Sequence, residues 1–77
     1  MINKTNLKKL ANSSPYVRDF LIEFSKVVIM AKTPEEYYNL PDKKLYDRIL
    51  DQHDICSLDV KTYLENVTEI YNILKSA

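Results

Sequence analysis

The sequence predicts an all-α fold, a small antiparallel helical bundle with three main helices, a short N-terminal helix and a short helical turn. Three observations carry this. The chain of 77 residues contains no glycine, which disfavours tight β-hairpins, because the usual hairpin turns need residues at positive φ. Apolar residues recur at helical spacing from one end to the other, and nowhere alternate with period two over a useful length. Two Ser/Thr-Pro pairs, Ser14-Pro15 and Thr33-Pro34, each combine a capping hydroxyl with proline at the first helical position.

Taken in order, Thr5 is expected to cap the first short helix, which buries Leu7, Leu10 and Ala11. Ser14-Pro15 starts the central helix, running from 15 to about 32. Its apolar residues Tyr16, Val17, Phe20, Leu21, Phe24, Val27, Val28 and Ala31 fill one arc of about 140°, the width of a core-facing stripe. Phe20, Leu21, Phe24 and Val28 are the expected centre of the core. The β-branched run Val27-Val28-Ile29 is the one place where a strand competes. Thr33-Pro34-Glu35-Glu36 reads as a capping box, and Pro41 limits the helix it starts to a short turn over 34–39. A third helix over 41–52 presents Leu45, Tyr46, Ile49 and Leu50 on one face. Ser57 is expected to cap the last helix, 58–75. Its seam Val60, Leu64, Val67, Tyr71 and Leu74 steps by 4, 3, 4 and 3, the spacing of helices packed at small angles.

The length bounds the chain to one domain, 1–77, able to bury about 63% of its unfolded surface. With 45% hydrophobic and 29% charged residues, the composition is that of a globular protein. The longest apolar run, 27–31, is too short to cross a bilayer. The basic start MINKTNLKKLANSS lacks the apolar stretch of a secretory signal, so a cytoplasmic protein is expected, with no membrane contact. Eleven basic and eleven acidic residues give a net charge of zero, which disfavours nucleic acid as the main partner. The charge is nonetheless uneven. Residues 1–14 carry three lysines and no acid, whereas 33–54 carry six acids and three bases, so a basic arm is expected near an acidic middle helix.

Cofactor chemistry finds little to stand on. Without glycine, phosphate-binding loops and calcium loops are absent, and the expectation is no cofactor. His53 and Cys56, the only residues of their kinds, stand three apart beside Asp51 and Asp54. Zinc needs four ligands, and no second His or Cys exists. His53 is therefore read as a partly covered helix-end histidine near the C-terminal dipole, and Cys56 as a small buried hydrophobe in the inter-helix turn. Asp47, Asp51 and Asp54 share one helix face, read as a solvated outer surface. A Cys56–His53 nucleophile pair lacks a third orienting group. The chain is thus expected not to be an enzyme.

The functional expectation is a small protein–protein interaction module, a regulator or inhibitor of a macromolecular partner. The expected partner-binding residues are Arg18, Ile22, Lys26 and Ile29 on the back of the central helix. Ile22 and Ile29 project within about 20° of each other, off the core arc, so they form an apolar ridge flanked by two cations. The competing explanation is that the N-terminal helix folds over them. The second functional reading is a helix-turn-helix-like DNA-binding regulator built on the last two helices, but the second of these begins Leu58, Asp59, Val60, Lys61 and Thr62, with one base and one acid where base-reading side chains would project. The last helix raises one more question. Tyr63, Ile70 and Ile73 widen its apolar face, so they are either buried between two helices of the same chain, the solution favoured, or form a homodimer contact.

Overall fold

The computed structural model describes residues 2–31, 33–56 and 62–76. Among them the protein is all-α, with five helices: α1 (Lys4–Ser13), α2 (Pro15–Met30), α3 (Pro34–Tyr38), α4 (Lys43–Gln52) and α5 (Tyr63–Ser76). A strand at Val27–Ile29 does not form; the segment lies inside α2. Helix α2 packs along α5, and α1 lies against both. The radius of gyration is 11.4 Å, close to the value of about 11.5 Å expected of a compact domain of this length.

The described corners are turned without glycine, and three of the helix starts are capped by a side chain. The cap of α1 is Asn3, not Thr5: the Asn3 side chain accepts from the Asn6 amide at 3.0 Å. Asparagine is at least as good a cap as threonine, and the earlier start places Thr5 inside the helix. Ser14 serves two helices. Its extended backbone (φ −145, ψ 97) donates to the Leu10 carbonyl, ending α1, while its Oγ accepts from the Val17 amide and starts α2. Thr33 caps α3 through the Glu36 amide as predicted. Residues 41–42 form a turn, so α4 starts two residues later than expected.

The end of α4 is a Schellman motif. The Ile55 amide donates to the Leu50 carbonyl at 2.9 Å and the Asp54 amide to the Asp51 carbonyl at 3.1 Å. Asp54 sits at φ 54, the left-handed region where glycine is usual and aspartate among the better substitutes. Leu50 and Ile55, the apolar pair that accompanies this motif, are both buried. The same turn anchors α1, since the Asn3 amide donates to the Ile55 carbonyl at 2.8 Å and Asn6 Nδ2 to the Asp54 carbonyl at 3.2 Å. The basic arm thus meets the acidic segment through backbone and amide groups.

The core contains Leu7, Leu10 and Ala11 of α1, Leu21, Phe24 and Val28 of α2, Tyr37 of α3, Tyr46 and Leu50 of α4, Ile55, and Tyr63, Val67, Ile70 and Leu74 of α5. Two helices are turned relative to the sequence reading. In α2 the buried face is Leu21, Phe24, Ser25 and Val28, about 60° from the centre of the predicted arc. Phe20 is consequently only half-buried, and Tyr16 and Val27 are exposed. In α5 the seam runs through Tyr63, Val67, Ile70 and Leu74; Leu64 is exposed and Tyr71 half-buried. Residues 57–61, including the expected cap Ser57 and the seam residue Val60, lie outside the described residues. Leu45 of α4 is also exposed, leaving Tyr46 and Leu50 as its buried pair.

The turn of α2 has an identifiable cause. Ser25 Oγ and Tyr46 OH are 2.7 Å apart and both side chains are fully buried. Tyr46 also packs on Phe24 with ring centroids 4.6 Å apart and on Phe20 at 6.4 Å. A satisfied hydroxyl pair is accepted in a core, and bringing Ser25 inward rotates Val27 and Tyr16 out.

Ser25→Ala should lower stability by about 1–3 kcal/mol, because the Tyr46 hydroxyl is left unpaired. In the Ser25→Ala/Tyr46→Phe double variant part of that loss should return, giving a coupling of about 1 kcal/mol in a chemical-denaturation cycle. Strict additivity would show that the hydroxyl pair does not fix the α2–α4 contact.

Candidate functional site

The four residues expected to bind a partner occupy two different environments on α2. Arg18 and Lys26 are exposed, as the ridge requires. Ile22 is half-buried and packs against the core, and Ile29 is 38% exposed. The rotation that brings Ser25 inward carries Ile22 to the boundary of the buried face. The expected two-isoleucine ridge is therefore reduced to one partly exposed side chain between two cations.

The opposite side of the same helix carries more apolar surface. Tyr16 is 89% exposed, Met30 72% and Val27 47%, with half-buried Phe20 between them. These four lie within about 80° of one another and extend about 21 Å along the helix. Beside them a cleft of about 270 Å³ is lined by Phe20, Phe24, Val27, Leu40 and Pro41, with the carboxylates of Glu23 and Asp42 at its edge. Both carboxylates belong to exposed residues. One sequence signal could have located this surface. Positions 16, 20, 23, 27 and 30 step by 4, 3, 4 and 3, and the middle one is Glu23. A seam with an unpartnered carboxylate at its centre is costly to bury.

The remaining candidate groups do not assemble into a reactive site. His53 is exposed at the C-cap of α4 and not partly covered. Cys56 is half-buried against the core. Burial pushes its thiol up to about 11, with Asp47 and Glu69 adding to the effect. Of the acidic triplet, Asp51 is solvated as expected. Asp47, however, is half-buried against Lys43, and Asp54 lies beyond the helix in the turn. Among the described residues, no three His, Cys, Asp or Glu side chains converge into a group able to hold a metal ion.

Tyr63 and Ile70 are buried within the chain, which is the intrachain solution expected for the wide face of the last helix. Ile73 is half-buried, beside a shallow depression that includes Lys4, Lys8 and Glu69. The expected base-reading start of the last helix lies outside the described residues except for Thr62. No described helix is long and apolar enough to cross a membrane. The chain matches no protein-family model, no curated protein and no solved structure.

Two expectations concern the protons of the core. A thiol raised from 9.0 to about 11 has about 100-fold less thiolate near neutrality, so alkylation of Cys56 should be slower than that of an unhindered thiol by about that factor. Urea should restore the ordinary rate, and equal rates with and without urea would remove the assignment. Burial also raises the Tyr46 and Tyr63 hydroxyls above their ordinary value of 10.0. Above the ordinary thiol and phenol range the folded chain retains more protons than the unfolded chain, so stability must fall as pH rises. A melting temperature that declines from pH 9 to pH 11 (about the span of those ordinary values) is expected, against little change from pH 7 to 8.

Proposed function

We propose that the protein is a small interaction module that acts by binding rather than by catalysis, regulating another protein that covers the outer face of α2. The observation that supports this is the exposed stripe Tyr16, Phe20, Val27 and Met30 beside its cleft. Two large apolar side chains left mostly in water on one helix face form the kind of patch that partners cover, and a tyrosine and a methionine are enriched at interfaces. Glu23 and Asp42 at the edge of the cleft favour a partner that brings apolar side chains with Lys or Arg among them. A second copy of the chain fits less well. Glu23 stands at the middle of the stripe, and a two-fold contact centred there sets that carboxylate against its own copy. A cytoplasmic setting suits a chain whose single cysteine has no partner for an intrachain disulfide.

The test compares three variants captured from native cells alongside the unmodified protein. Val27→Asp and Met30→Asp should retain the helical circular dichroism and melting temperature and lose at least about tenfold in affinity for the partner. Ile22→Asp, at the boundary of the core, should instead lower the melting temperature. A partner recovered equally by Val27→Asp and by the unmodified chain would exclude this face. Recovery of nucleic acid, with affinity falling steeply as salt rises, would favour the DNA-binding reading.

A further inference from the structure

Three tyrosines from two helices meet at the start of α4. The Tyr37 ring stacks on Tyr63 with centroids 5.0 Å apart and planes 6° from parallel. Tyr38 is 4.8 Å from Tyr37 and 5.5 Å from Tyr63. The Lys43 ammonium stands over this cluster, 5.1 Å from the Tyr38 centroid and 5.1 Å from that of Tyr63, and 2.6 Å from Asp47 Oδ2. Two aromatic faces and a carboxylate around one ammonium are the elements by which proteins recognise alkylammonium ligands. Here the occupant is a side chain of the protein itself.

Local electrostatics give Lys43 little reason to be there. It is the first residue of α4, whose first turn contains Lys44 and no acid, and whose N-cap Asp42 makes no side-chain capping bond. A cation at a helix N-terminus faces the positive end of the dipole. Its ion pair with Asp47 has the cation on the N-terminal side, the weaker order for residues four apart. The attraction therefore comes from the Asp47 carboxylate and the two aromatic faces, against the dipole of the helix that carries the lysine. The site also has an acceptor to spare: Asp47 Oδ1 is shielded from solvent and accepts no hydrogen bond. Yet the Lys43 side chain is 21% exposed and that of Asp47 31%, while the wall residue Tyr63 is only 1% exposed.

We infer that Tyr38, Tyr63 and Asp47, backed by Tyr37, form a binding site for an alkylammonium group in which Lys43 is a displaceable internal occupant. The ligand retains at least one N–H, because Asp47 presents two oxygens and Lys43 uses only one of them. It is carried by a free alkylamine or by a lysine-type side chain. This site is separate from the α2 face and does not depend on the reading given for it.

Displacement is read first in the unmodified protein. Trimethylammonium, which keeps one N–H and forms no stable amide with acylating reagents, should increase acetylation of Lys43 by acetic anhydride relative to Lys44, with sodium chloride at equal ionic strength as the control. An unchanged Lys43 to Lys44 ratio overturns the proposal. Affinity is read in Lys43→Ala by tyrosine ring resonances in nuclear magnetic resonance. With the internal competitor gone, dimethylammonium should bind saturably and about tenfold more tightly than to the unmodified chain, and more tightly than tetramethylammonium. Adding Asp47→Asn should abolish saturation. A folded Lys43→Ala variant that responds to dimethylammonium as it does to sodium also overturns the proposal. Between putrescine and an Nε-dimethyllysine amide, the tighter binder identifies the source of the ammonium.

Discussion

A single buried hydrogen bond decides which way the central helix faces. Ser25 Oγ and Tyr46 OH, 2.7 Å apart, join α2 to α4 at a point where neither hydroxyl reaches water. Leaving either hydroxyl unpaired in the core would carry a desolvation penalty that an exposed valine does not. The chain therefore turns Ser25 inward and leaves Val27 and Tyr16 outside. Most of the arrangement depends on this choice. Phe24 packs at a tilt on Tyr46, Ile22 moves to the edge of the core, and the apolar excess of α2 emerges on one side.

The last helix is oriented by a second polar-aromatic arrangement. Val67 and Leu74 belong to either of two seams in α5, one continuing through Leu64 and Tyr71, the other through Tyr63 and Ile70. The stacking of Tyr63 on Tyr37 selects the second. A tyrosine offers a large apolar face together with a hydroxyl, and in this chain the faces are used inside. With six tyrosines against two phenylalanines, much of the aromatic packing carries hydroxyl groups, which is why the core holds its protons tightly.

Local signals were legible and the angular ones of α2 and α5 were not. Pro15 after Ser14 and Pro34 after Thr33 located the starts of α2 and α3, because capping and proline geometry act over four residues and need no tertiary context. The existence of the helices, and the burial of Leu7, Leu10, Leu21, Phe24, Val28 and Leu50, came from periodicity. The direction of the α1 face did as well, through Leu7, Leu10 and Ala11, whereas those of α2 and α5 did not. A count of apolar residues gives Ser25 no weight, and it sees no difference between two seams sharing Val67 and Leu74. The ridge built on Ile22 and Ile29 inherited that error, since its exposure was measured from the predicted arc. The tyrosine cage was illegible for another reason: it joins Tyr37 and Tyr38 of α3 to Tyr63 of α5, and a single sequence does not report such a meeting.

Turning every described corner without glycine changes where the chain is vulnerable. Ser14 caps both of the helices it separates, Asn3 both starts α1 and ties it to Ile55, and Asp54 holds a left-handed backbone beside the same tie. Direction is thus encoded in polar side chains at the surface, positions that in most proteins drift freely. A chain of this kind has fewer unfolded conformations to lose on folding, but it is intolerant at sites that look unimportant. Exchanging Ser14 for a residue without a hydroxyl would remove the cap of α2 while leaving the backbone bond to Leu10 and touching nothing in the core.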